Sequence, residues 1–351
     1  MKQIWLKGFL LILLMGICAG PCVFADDTRT ITDMCGREVT IPTEINTVLG
    51  TNPPITFATY MLSPDVLIGT NWDFSKTKYM DAKYKSLPNV GGQQAGNTLN
   101  YETFLSMNPD IILFAFAPGI NPNTKIEDLE QKLYPIPVVA VSDATDVLSY
   151  SSEIEFLGQL FGKEEQAADL IRYYDELFQK VNSTVKKIPT EERVRVYYAE
   201  GPDGLKTDPA GTACAQLITL CGGENVATVP AKGQGGMSPV SLESVVSWNP
   251  ELILAGDSKF YDSIYTDPNW QDIDAVKNKR VYLIPNQPFG WIDRPPGVNR
   301  IIGIPWLAKV LYPDLFTDID LPAYIKEFYS KFFHYYLTDD EVNTIISSSG
   351  L

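Results

Sequence analysis

The sequence predicts an α/β protein of two doubly wound lobes, with mostly parallel sheets joined by one long connecting helix and a ligand cleft between the lobes. Three observations carry this. First, residues 101–113 read Tyr-Glu-Thr-Phe-Leu-Ser-Met-Asn-Pro-Asp-Ile-Ile-Leu, and residues 242–254 read Leu-Glu-Ser-Val-Val-Ser-Trp-Asn-Pro-Glu-Leu-Ile-Leu. Six of thirteen positions are identical, including Glu102 with Glu243 and Asn108-Pro109 with Asn249-Pro250. Each copy is an amphipathic helix stopped at Asn-Pro and feeding an apolar strand, because proline lacks an N–H and disfavours helix in the residue before it. Second, Ala167, Leu170, Ile171, Tyr174, Leu177, Phe178, Val181 and Val185 recur at spacings of three and four, a helix of about 37 Å between Lys163 and Lys187. Third, apolar β-runs alternate with helical patterns on both sides of that helix, which argues for parallel sheets covered on both faces.

In chain order, residues 28–42 read as a strand pair around Cys35-Gly36-Arg37. Strands follow at 47–50, 66–69, 111–116 and 138–141, with helices near 54–62, 100–107 and 124–133 between them. The second half repeats the plan: a strand at 193–199, a helix at 211–221, the duplicated helix–strand at 240–256 and a strand at 280–284. Helices near 297–311, 324–336 and 339–347 complete it. The implied organisation is an N-terminal lobe at 28–160, a connecting helix at 163–188 and a C-terminal lobe at 190–347, two domains of ordinary size within 351 residues.

Residues 1–25 read as a secretion signal: Lys2 and Lys7, an apolar stretch from Gly8 to Cys18, and Val23-Phe24-Ala25 as the cleavage site. The stretch is shorter than the ~20 residues that span a membrane, and an uncleaved anchor is the alternative. Ile17 and Pro21 stand where a lipoprotein signal has a small residue, which favours free secretion to the periplasm or cell surface. Without the signal, 26 basic residues face 43 acidic ones, a net charge of −17, which repels nucleic acid and anionic lipid. Of the remaining cysteines, Cys214 and Cys221 lie seven apart on an expected helix, beyond disulfide reach, so these and Cys35 are expected as free thiols.

Much chemistry is absent. The chain has no Gly-x-x-x-x-Gly-Lys-Ser/Thr phosphate loop, no Gly-x-Ser-x-Gly elbow and no His-Glu-x-x-His. Its single histidine, His334, sits in an expected aromatic helix and builds neither a multi-histidine metal site nor a triad. No metal site, cofactor or catalytic residue is assigned. A carboxylate hydrolase or a sensor ectodomain is the rival from another class, and no paired acids stand out to support the former.

Ligands of open α/β sheets collect beyond the carboxyl ends of the strands. In the first lobe this selects the loops holding Asn52, Trp72, Gln93, Gln94 and Pro118; in the second, those holding Gly201, Gln234 and the run from Phe289 to Arg300. Phe289 and Trp291 offer flat apolar area, while Arg294 and Arg300 can grip a carboxylate, phosphate or other oxyanion bidentately. In the competing reading, Asp293 and Arg294 cap a helix entered at Pro296 and Trp291 belongs to the core.

Asp33-x-x-Gly36-Arg37-x-Val39-x-Ile41-Pro42 after a signal, the repeated Glu-x6-Pro-Asp/Glu pattern, the single long helix and Cys221-Gly222-Gly223-Glu224-Asn225 together resemble the class III solute-binding proteins of ABC importers. These bind iron–siderophores, haem and vitamin B12, and include molybdate/tungstate-binding relatives. The resemblance implies a non-enzymatic, monomeric receptor. One glutamate per lobe would engage arginines of the membrane permease, and Glu102 and Glu243 stand at those positions. Their alternative is an ordinary solvated helix residue. The segments Tyr197–Leu205 and Trp291–Arg300 resemble a subgroup grouped with iron-complex binders and close to the molybdate/tungstate relatives. The expected ligand is an iron–siderophore-type metal chelate; a tetrahedral oxyanion or a corrinoid is the alternative. An oxyanion site should be small with few exposed aromatics. A siderophore or corrinoid site should be wide and rimmed by Trp72, Phe289 and Trp291.

Overall fold

Two separate parallel sheets organise the chain, each centred on buried, mainly apolar strands. The computed structural model describes residues 27–92, 99–116, 122–142, 145–232 and 236–351. The expected signal at residues 1–25, Gln93, Gln94, Pro118 and Gln234 lie outside the described residues. Within them, no helix is long and apolar enough to cross a membrane.

β1 (Thr28–Thr32) and β2 (Glu38–Pro42) form an antiparallel pair. The buried Asp33 carboxylate makes their turn: it accepts hydrogen bonds from the backbone N–H groups of Cys35 and Arg37, each at 3.0 Å, and Gly36 takes the left-handed φ of 79° that the turn requires. Arg37 pairs with Asp33 and Glu130, both at 2.7 Å, and donates to the Val138 carbonyl. That ties the hairpin to the edge of the first sheet and gives the Asp33-x-x-Gly36-Arg37 pattern its physical reason.

The first sheet holds β3 (Val48–Gly50), β4 (Ile111–Phe116) and β5 (Val138–Ser142), all parallel and in that order. The expected strand at 66–69 is reduced to a single parallel bridge, Val48 to Leu67. β6 (Arg195–Ala199) opens the second half. β7 (Lys206–Thr207) and β9 (Ser238–Pro239) form a short antiparallel ladder, while β8 (Glu224–Asn225), β10 (Leu252–Ala255) and β11 (Val281–Leu283) join β6 in a parallel sheet ordered β11-β10-β6-β8.

Side-chain alternation divides each sheet between two cores. On one face of the first sheet, Leu49, Ile112, Phe114, Val138 and Ala140 pack with Phe104, Ile126 and Leu129. On one face of the second, Tyr197, Ile253, Ala255 and Val281 pack with Val245, Phe260 and Ile264. The opposite faces, including Val48, Leu113 and Val139 of one sheet and Val196 and Leu254 of the other, belong to one shared core. The helix Glu164–Val185 runs along that core, burying Leu170, Tyr174, Leu177 and Val181, and packs against the helices Tyr150–Phe161 and Gly303–Leu311. The first of these was not expected from the sequence; Gly162, left-handed at φ 63°, ends it just before the long helix begins.

The duplicated helices are alike in detail. Tyr101–Met107 and Leu242–Trp248 share the same residue-by-residue order of burial, and each N-cap side chain, Asn100 or Ser241, accepts from the backbone N–H three residues on. Each ends at a left-handed asparagine, Asn108 at φ 45° and Asn249 at φ 41°. Asparagine tolerates that conformation better than other side-chain-bearing residues, which explains why Asn rather than any residue precedes the proline.

Asp339–Ser348 forms the last helix, as expected, and the helix expected at 324–336 runs instead over Leu321–Phe332. His334 lies outside it at φ 53°, its Nε2 3.1 Å from the Tyr60 carbonyl, and burial depresses its pKa. Tyr60 in turn donates to the Phe333 carbonyl at 2.8 Å, so the chain end lies against the first lobe's helix Pro53–Leu62. The helix expected at 211–221 shrinks to Gln216–Leu220, leaving Cys214 before it; Cys35, Cys214 and Cys221 are free thiols.

Trp291 is fully buried, edge-on to Trp306 and Tyr329 at centroid distances of 6.4 and 6.5 Å. Replacing it by alanine should cost about 3–5 kcal/mol, the usual penalty for emptying a large aromatic site, measurable as a fall in the urea midpoint at unchanged slope.

Candidate ligand-binding cleft

Beyond the carboxyl ends of the second sheet, the chain gathers three acids around one arginine. Glu200 follows β6 directly, Asp208 follows β7, and Asp293 and Arg294 come from the loop after β11. Gly290 permits that loop, because a Cβ there would lie 1.9 Å from the Asp293 carbonyl oxygen. Arg294 itself sits at φ 64°, a conformation costly for a side-chain-bearing residue and kept where surrounding contacts enforce it.

Those contacts are ionic. Arg294 Nε donates to Glu200 Oε1 at 2.8 Å, and Nη2 donates to the same oxygen and to Asp208 Oδ2 at 2.8 Å. Asp293 Oδ2 lies 3.3 Å from Nε. All three acids are buried, while a third of the arginine side chain stays exposed. Burial pushes the Glu200 carboxyl up to about 8 despite the opposing pull of Arg294, with Asp208 and Asp293 adding to the rise. Burial likewise pushes Asp208 up to about 6, reinforced by Asp293. Burial alone would lower the Arg294 guanidinium, but Asp293, Tyr198 and Glu200 around it hold it above its ordinary value. The Cys214 thiol is raised by burial, then by Asp293 and Asp208, and is therefore protonated and inert. Asp208, Cys214 and Asp293 bring one potential metal-ligating atom each within 4.8 Å of one another. Arg294 already supplies positive charge to that group.

The exposed edge of Arg294 faces a cleft of about 280 Å³. Trp72, Lys76 and Thr77 from the first lobe meet Asn286, Gln287 and Phe289 from the second across it. A larger open groove of about 790 Å³ shares no residue with this cleft and lies by the 43–46 loop and the helix junction at 159–166, near the amino end of β3. The smaller cleft is the one at the strand ends where α/β sheets bind ligands.

The structure corrects several expectations. Trp291 is core and offers no face to a ligand beside the arginines. Arg300 is also fully buried: it donates to the Tyr150 hydroxyl at 2.8 Å, to the Ala213 carbonyl at 2.7 Å and to the Thr145 carbonyl, riveting segments from both halves and facing no cleft. Phe289 touches the cleft but is 2 % exposed, stacked 3.7 Å from Phe57. Asn52 caps the helix Pro53–Leu62 by accepting from the Ile55 N–H, and Gly201 makes the turn after β6 at φ 77°; neither lines the cleft. Trp72 and Arg294 do line it. Sequence reasoning reached the loops holding Glu200 and Asp293 but missed Lys76, Asp208 and the convergence of three acids on Arg294. An acid immediately after an apolar parallel strand was the available signal.

Two parallel sheets whose facing loops enclose a small polar cleft define a two-lobed solute-binding protein. Residues 62–288 match the periplasmic binding protein family, and the chain belongs to it. It is similar to the molybdate-binding protein MolA of Haemophilus influenzae, 29% identical over 87% of this chain and 91% of that one. It is 24% identical to the ferric enterobactin-binding periplasmic protein FepB of Escherichia coli over 79% of this chain and 90% of the relative. The solved ABC transporter solute binding protein of Sulfurospirillum deleyianum superposes with a TM-score of 0.84 at 31% identity, covering 91% of this chain and 99% of that one. The chain is thus a solute-binding protein of ABC transporters.

Because the folded Glu200 carboxyl titrates above its ordinary value of 4.5, the folded chain keeps a proton that the unfolded chain has lost. The stability this gives is complete below about pH 4.5 and disappears as pH rises through about 8. Thermal melts from about pH 6 to pH 9 should show the unmodified chain losing stability and Glu200→Gln losing distinctly less.

Proposed function

We propose that this protein captures a compact tetrahedral oxyanion of the molybdate or tungstate type and delivers it to an ABC permease. The observation that carries the ligand class is the cleft: about 280 Å³, with Phe289 and Trp291 withdrawn into the core and Trp72 alone of the three expected rim aromatics left partly exposed. Pockets for drug-sized ligands run from about 300 Å³ upward, so a bulky iron–siderophore or corrinoid fits poorly. Lys76 and Arg294 supply positive charge, and the Asn286 and Gln287 side-chain amides supply hydrogen-bond donors. The similarity to MolA supports the same class. In this reading the lobes comprise about 28–160 and 190–347, residues 1–25 direct secretion, the protein works as a monomer outside the cytoplasmic membrane, and Glu102 and Glu243 contact the permease.

The acids around Arg294 set a condition. An oxyanion beside ionised Glu200 and Asp208 is repelled, whereas their protonated forms are neutral. Oxyanion binding therefore takes up protons, and affinity should rise from about pH 8 to pH 6, by at most about tenfold per pH unit for each proton taken up. Calorimetric titration with molybdate, tungstate and ferric enterobactin tests both points. Tight binding of the siderophore with no heat from either oxyanion would refute the ligand assignment.

Docking through Glu102 and Glu243 makes a separate expectation. Glu102→Arg with Glu243→Arg should abolish transport into permease-bearing vesicles while leaving ligand affinity within about twofold, since both residues are exposed and neither lines the cleft. Loss of affinity would instead assign them to the binding machinery.

A further inference from the structure

The duplicated helices repeat more than a glutamate. On Tyr101–Met107, Glu102, Leu105 and Ser106 are exposed; on Leu242–Trp248, Glu243, Val246 and Ser247 are exposed at the same three positions. Residues three and four apart share one helix face, so each lobe shows the same small patch: an acid, an aliphatic one turn on, and a serine beside it. Leu105 is 38 % and Val246 43 % exposed. Neither glutamate has an ion-pair partner among the described residues. A single outward aliphatic is ordinary. Two in matching register, each beside an exposed carboxylate without an ion-pair partner among the described residues and on a different lobe, form a repeated surface.

We propose that each lobe docks through a two-part contact, the carboxylate and its neighbouring aliphatic, and that the partner is a two-fold related pair of permease subunits. Each subunit would present a cation to Glu102 or Glu243 and an apolar socket to Leu105 or Val246. This rests on the permease-docking reading above and adds the apolar half of the contact. The division of labour follows from the physics: exposed charges steer and orient the encounter, whereas apolar burial at its centre slows dissociation. Like patches on two pseudo-equivalent lobes suit a partner whose own surface is repeated by symmetry.

The test uses the full chain and its permease reconstituted in lipid nanodiscs, with dissociation followed by surface-bound interferometry. Leu105→Ser with Val246→Ser should weaken binding by about tenfold or more, mainly through faster dissociation. Leu105→Ile with Val246→Ile should restore it, and Leu315→Ser, which alters an exposed aliphatic elsewhere, should change nothing. Melting curves of all variants should coincide, because the altered side chains lie at the surface. If the double serine variant binds like the unmodified chain while Glu102→Gln with Glu243→Gln dissociates rapidly, the apolar half is refuted and the docking reading survives. If both variants bind normally, both fall.

Discussion

The shared hydrophobic core is the constraint on which the molecule depends. Each sheet keeps one face for its own lobe and turns the other toward a common interior, so neither lobe is complete alone. The helix Glu164–Val185 contributes a buried stripe to that interior, and Arg300 crosses it with a guanidinium whose hydrogen bonds reach segments of both halves. A buried cation that donates to three neutral oxygens demands accurate geometry, because any one lost acceptor leaves an unpaired donor in a low dielectric. The cleft takes its shape from this arrangement: Phe289 reaches from the second lobe to stack on Phe57 of the first, closing the floor beneath the polar residues.

The electrostatics of that cleft run against a simple reading of its arginine. Arg294 is the obvious group to grip an anion, yet three buried carboxyls surround it. Such a cluster holds the guanidinium in one orientation, so little rotamer freedom is lost when a ligand arrives. The same carboxyls would repel an anion if all were ionised, and the raised pKa values of Glu200 and Asp208 reduce that repulsion near neutrality.

Features that repeat or depend on local chemistry were legible in the sequence. The duplicated helix–strand, the long connecting helix and the strands at 111–116, 138–141 and 280–284 carry periodicity that any sheet or helix must have. The Asp33 turn and the Asn-Pro stops rest on side-chain and backbone rules of short range. What depends on distant partners was not legible. Arg294 meets Glu200 and Asp208 across separations of 94 and 86 residues, and nothing near position 294 announces them. Trp291 and Arg300 look like surface chemistry in a loop rich in Gly and Pro, and only the three-dimensional course of that loop turns them inward. The helix Tyr150–Phe161 was missed because its pattern runs up to Gly162 beside a longer helix that dominates the signal.

The chain's last hundred residues cross back to its first. Tyr60 bonds to Phe333 over a separation of 273 residues, and helix Leu321–Phe332 lies against helix Pro53–Leu62. The earliest-made apolar surface therefore waits for the final segment to cover it. Contacts between residues so far apart in sequence form late and slow folding. Residues brought together from such separate parts of the chain make the packing of the first helix a property of the whole described fold and not of its own lobe.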